Sequence, residues 1–211
     1  LQSLGYRSYY NQMIEALNSP VANAIYLSEL ASTRDHAVAG ELRAAEVFIL
    51  TIGVAPCWFL KATGQFVFEP NLRRIGDYVQ RTLPVAEARD ALLHTFKMVR
   101  QINPAMKIVL TLSPVPLGRT FEFHSAIVAD ALSKASLRAA IRGARQAYEG
   151  DDPPFYLPSF EIVRWVGAHR GEAFGDDGLP RHVSKHYVEA IIRAFIRNYG
   201  IDAAGASAKK G

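Results

Sequence analysis

Cysteine is almost absent from this chain: Cys57 is the only one in 211 residues, so no internal disulfide can form. That usage fits a reducing compartment such as the cytosol. Long apolar runs are absent too. Stretches such as Val47-Phe-Ile-Leu-Thr-Ile52 fall far short of the ~20 residues that span a bilayer. The first 25 residues lack the basic-then-apolar pattern of a secretory signal, which makes a cytoplasmic location the expectation. No strong excess of either charge is present. The net charge is +4, and Lys and Arg are interspersed with acids apart from the pairs Arg73-Arg74 and Lys209-Lys210, so no nucleic-acid partner is expected. Neither a phosphate-binding nor a dinucleotide-binding glycine pattern occurs, and no cofactor is expected. His182 and His186 have the four-residue spacing of two metal ligands on a helix face, but no Glu follows the first and no third ligand is evident, so no metal is expected. Most consequential is the lack of any Gly-Asp-Ser or Gly-Ser-Cys turn, the setting in which many hydrolases present a nucleophilic serine.

Hydrophobic residues make up 49% of the chain and charged residues 21%, which is globular composition and enough for one core. Residues 1–200 read as a single domain and 201–211 as a disordered tail. Three short apolar runs, 47–52, 107–112 and 155–157, read as buried parallel strands, the first two ending at the turn formers Gly53 and Ser113-Pro114. Pro84 marks a helix start, with Ala88, Leu92, Phe96 and Val99 at helical spacing up to residue 101. Ser133 or Ser136 caps a second predicted helix through Tyr148, and a third runs from Ser184 to about Asn198, ended by Gly200. An earlier helix is expected within 18–30, and residues 43–45 lead into the first strand. The alternation predicts an α/β fold: a three-layer α/β/α sandwich around a parallel, doubly wound sheet.

The chemistry concentrates in Asp176-Asp177-Gly-Leu-Pro-Arg-His182-Val-Ser184, just ahead of the last helix. A general base needs an imidazole whose second nitrogen is held by an acceptor, and either Asp177 or Asp176 can orient His182. Gly53 follows a strand, where its N–H can meet a reacting oxygen without a side chain intervening. Trp58 stands as a pocket wall, Ser113 as a residue shaping the pocket, and Ser133 with Lys134 as a helix N-terminus plus cation for an anionic substrate group. Cys57 reads as an inert packed thiol rather than a nucleophile.

Several segments occur in one order: Val47-Phe-Ile-Leu-Thr-Ile-Gly53, Lys107-Ile-Val-Leu-Thr-Leu-Ser-Pro-Val-Pro116, Leu132-Ser-Lys-Ala-Ser-Leu-Arg138, Tyr156-Leu-Pro-Ser-Phe-Glu-Ile162 and His182-Val-Ser184. In this order they resemble the GSCFA family, a branch similar to the SGNH hydrolases. The resemblance implies a serine esterase or acyltransferase acting on an ester, with an acylated carbohydrate or surface polysaccharide as the substrate class. It also implies that the nucleophilic serine lies in a Gly-Ser-Cys-Phe-Ala segment ahead of Leu1, on a strand preceding this chain. Two departures favour a different class, a non-catalytic glycan- or acyl-binding accessory domain. The family pattern sets the acid three residues before the histidine, where Leu179 stands, and an asparagine close to the glycine, where Val54-Ala-Pro-Cys57 follows.

Overall fold

A computed structural model describes residues 42–67, 70–171 and 173–199. The expected helix within 18–30, the tail 201–211 and the stop at Gly200 lie outside the described residues. The three predicted parallel strands form at the expected bounds: β1 is Val47–Ile52, and between it and α1 lie β2 (Pro56–Leu60), β3 (Phe66–Val67) and β4 (Tyr78–Thr82). Helix α1 (Val85–Ile102), β5 (Lys107–Leu112), α2 (Ala126–Gln146), β6 (Phe155–Leu157) and α3 (Lys185–Tyr199) follow. The parallel sheet has the order β1-β5-β6, with Ile52 beside Leu112 and Thr111 beside Leu157. All three strands therefore end at one edge.

Strand alternation divides the side chains between two faces. Leu50, Ile108, Leu110 and Leu112 pack onto Leu92, Phe96 and Val99 of α1 and Leu137, Ile141 and Ala144 of α2, forming the main core. A second cluster, Val163, Ala173 and Ile191, is joined by Leu157, Phe174, Val183 and Tyr187. It gathers the helical segment 159–170, the loop that follows it and α3. The described residues thus show an α/β protein with a three-stranded parallel sheet.

Local chemistry explains the boundaries. Asn103 stops α1 by donating its backbone N–H to Val99 O, while its side-chain amide donates to Arg43 O and Ala45 O and so ties the helix end to the lead-in of β1. One boundary differs from expectation. Helix α2 begins at Ala126, two turns before Ser133, because extended Ser125 caps it by accepting from the Val128 N–H at 3.4 Å. Ser133 and Lys134 are therefore interior helical residues, two turns past the N-terminus of their own helix. The antiparallel sheet β3-β2-β4 was also not anticipated. It takes up the aromatic segment after Gly53.

Candidate active site

The loop 173–184 is a pinched hairpin. Phe174 and Val183 form an antiparallel bridge, the Gly175 N–H donates to His182 O at 2.9 Å, and the His182 N–H donates to Leu179 O at 2.9 Å. Gly175 and Gly178 have φ values of 86° and 80°, the left-handed region that favours glycine, and they fold the intervening residues back on themselves. The fold-back brings Asp177 to His182 across five residues: Asp177 Oδ2 lies 2.8 Å from His182 Nδ1. The other carboxylate oxygen accepts the Leu179 N–H at 2.9 Å. That backbone bond, with the imidazole second, holds the Asp177 carboxyl below its ordinary pKa. Asp176 points elsewhere. Its Oδ2 accepts the Lys185 N–H at 2.7 Å, so it satisfies the first turn of α3. The structure thereby distinguishes the two aspartates left open by sequence.

His182 and Asp177 are about half exposed, at 55% and 45% of their side-chain surface, and both line a cleft of about 680 Å³. Its remaining walls are almost entirely apolar: Ile49 and Thr51 of β1, Pro114 and Val115 after β5, and Val188, Ile191, Ile192 and Phe195 of α3. Thr111 and Ser159 also reach it. Their hydroxyls hydrogen-bond each other, and Ser159 donates to Leu112 O at 3.1 Å. An imidazole with Nδ1 held by a carboxylate keeps Nε2 as the nitrogen that exchanges a proton with a ligand.

The remaining sequence-predicted residues divide. Ser113 does not line the cleft: its Oγ accepts the Val115 N–H at 3.3 Å within the turn that presents Pro114 and Val115. Trp58 sits on β2 and meets the Phe121 ring at 5.0 Å between ring centres, tilted by 58°, in the second sheet rather than at the cleft wall. Ser133 and Lys134 are 0% and 3% exposed, which removes them from contact with a ligand. Ser133 Oγ accepts the Ala55 N–H at 2.8 Å, and Lys134 Nζ donates to Gly53 O at 2.7 Å. Burial lowers the Lys134 ammonium to about 8, opposed in part by Asp130. Burial pushes the Cys57 thiol up to about 11, so the thiolate is scarce at neutral pH.

Other interactions of α2 were missed by sequence reasoning. Asp130, itself buried, pairs with Arg164 and accepts the Leu117 N–H at 2.8 Å. Arg138 donates to Glu161 at 2.7 Å and stacks on the Tyr156 ring, whose hydroxyl also donates to Glu161 at 2.8 Å. Burial, then the Glu161 carboxylate, pushes the Tyr156 phenol well above its ordinary pKa. The available signal was spacing: 130, 133, 134, 137, 138 and 141 fall on one side of a helix.

Fold and site together define an α/β protein that carries a histidine–aspartate pair on the loop entering its last helix. Among the described residues no helix is long and apolar enough to cross a membrane. The model of the GSCFA family matches residues 5–195, and the chain belongs to that family. No curated protein and no solved structure matches it.

Proposed function

We propose that this chain is an SGNH-like serine esterase or acyltransferase with a doubly wound three-layer α/β/α fold, in which His182 is the base. The observation that carries this reading is the 2.8 Å contact between His182 Nδ1 and Asp177 Oδ2 beside a cleft. A serine hydroxyl attacks the ester carbonyl while His182 Nε2 takes its proton. The tetrahedral oxyanion is met by the Gly53 N–H. On collapse the C–O bond to the alcohol breaks, and the imidazolium returns the proton to that alcohol. Water or a sugar hydroxyl then accepts the acyl group by the same steps in reverse order of partners. Asp177 keeps the imidazole in one tautomer and stabilises its charged form. The apolar walls suit an acyl group, and family membership supports an acylated carbohydrate or surface polysaccharide as the substrate class.

The competing reading is a glycan- or acyl-binding accessory domain without turnover. The loop weakens one of its two supports, because Asp177 reaches His182 despite the longer spacing. The other remains: Val54, not asparagine, follows Gly53. Turnover of p-nitrophenyl acetate and butyrate by the full-length natural protein decides between them. The enzyme reading expects hydrolysis that falls at least a hundredfold in His182→Ala. Acyl-ester binding without hydrolysis, or hydrolysis unchanged in that variant, rejects it.

A further inference from the structure

The 53–55 loop shows no packing reason for its glycine. A Cβ built on Gly53 meets no atom within 4 Å, and its φ lies outside the left-handed range. What shapes this loop comes from α2. Ser133 and Lys134, adjacent and buried, grip it at both ends, one accepting the Ala55 N–H and the other donating to Gly53 O.

Holding the Gly53 carbonyl fixes more than that oxygen. A trans peptide is planar, and its C=O and N–H point in opposite directions. With Gly53 O turned onto Lys134, the N–H of Val54 must point away from α2. Helix α2 covers the Leu50–Leu110 face of the sheet, whereas the cleft opens on the Ile49–Thr51 face. The outward direction is thus the Ile49–Thr51 side of the sheet, beyond the residues that line the cleft, which include neither Gly53 nor Val54. Among the described residues the Val54 N–H makes no hydrogen bond. The Val54 side chain is substantially exposed, so the loop is open there.

We propose that Ser133 and Lys134 are positioning residues that set the 53–54 peptide so that the Val54 N–H is a second oxyanion donor beside that of Gly53. It occupies the role that a side-chain amide has where an asparagine follows the glycine. This inference rests on the esterase reading for the donor role, but not for the grip on the loop. A lysine amine buried beneath a backbone carbonyl is a costly anchor, and an apolar residue would fill the space more cheaply. Its presence there is accounted for by the orientation it imposes on that carbonyl.

The test uses the full-length natural protein, ¹⁵N-labelled, with Lys134→Met and Ser133→Ala. The Val54 amide resonance should shift and its hydrogen exchange accelerate in both variants, while amides of α1 and β5 stay in place. With p-nitrophenyl butyrate, kcat should fall roughly tenfold or more with KM within about twofold, since a donor acting on the oxyanion stabilises the transition state rather than the bound ester. The pH inflection lost in His182→Ala should stay where it is in Lys134→Met. An unmoved Val54 amide, or an effect on KM alone, overturns the proposal. Should Lys134→Met not fold, Ser133→Ala carries the same comparison. An inactive wild type removes the ester chemistry and the donor role together, whereas the amide measurements still decide whether these side chains hold the loop.

Discussion

Lys134 lets the energetics of the site be measured without any substrate. Its ammonium lies beneath the Gly53 carbonyl at 3% exposure, and burial lowers its pKa from 10.5 to about 8. At roughly 1.4 kcal/mol per pH unit, this corresponds to about 3 kcal/mol between the folded and unfolded chain. Below about pH 8 both states hold the proton, and the folded state bears the whole penalty of a buried charge. Between about 8 and 10.5 the unfolded chain keeps a proton that the folded chain has released, so stability rises with pH. Above that range neither state is charged.

The perturbation is Lys134→Met, which keeps length and removes the charge. At pH 7 the variant escapes the penalty of about 3 kcal/mol but leaves Gly53 O without its donor, at a cost of about 1–3 kcal/mol. The two effects nearly cancel, and the variant should lie within about 2 kcal/mol of the wild type. At pH 10.5 only the loss remains, and the wild type should lead. Urea unfolding of both proteins at half-unit steps from pH 7 to 10.5 measures the difference directly, with other titrating groups common to both. The wild-type advantage should grow by about 2–3 kcal/mol across that range. A difference that stays flat would show that Lys134 titrates as an ordinary surface lysine, and the buried anchor would have to be abandoned.

The two aspartates should separate cleanly. Asp177→Asn is expected to lower ester turnover about a hundredfold while leaving the urea midpoint nearly unchanged, since both partners are half exposed. Asp176→Ala should instead cost about 1 kcal/mol of stability, through the first turn of α3, and spare kcat; the opposite pattern would exchange their roles. Cys57 at a pKa of about 11 leaves about one thiolate in a thousand at pH 8, so its alkylation by iodoacetamide should be slow there and rise about tenfold per pH unit to pH 10. Rapid labelling at pH 7 would contradict this.

The regular frame was readable from sequence because its signals are local. Val47–Ile52 and Lys107–Leu112 are continuous apolar runs, and α1 announces both its ends with Pro84 and Asn103. His182 was legible for a similar reason, being an imidazole near acids just before an amphipathic helix. What escaped was set by contacts distant in the chain. Spacing could not choose between Asp176 and Asp177, because the choice depends on left-handed turns at Gly175 and Gly178 that send adjacent carboxylates to different partners. Ser133 reads as a cap because serine is an efficient helix cap, and nothing local says that Ser125 already holds that position. Trp58 was placed at the pocket because the antiparallel pairing of Pro56–Leu60 with Tyr78–Thr82 bridges about twenty residues and leaves little periodic trace.

Those corrections point the same way. As a helix N-terminus with a cation, Ser133 and Lys134 suggest a site for an anionic substrate group; in the fold both are spent on protein partners, as is Arg138. Ser133 and Lys134 hold the loop after β1, Asp130 holds the Leu117 backbone and Arg164, and Arg138 holds Glu161 beyond β6. One helix face therefore fixes the segments that leave all three parallel strands at the edge where the cleft lies. Such interior polar contacts cost desolvation, and several of them could be replaced by apolar packing with little loss of stability. Directional bonds do what apolar packing cannot, because they set the angle of a peptide plane as well as its position. In this chain the strongly patterned helix orients backbone at that edge and supplies none of the residues that line the cleft.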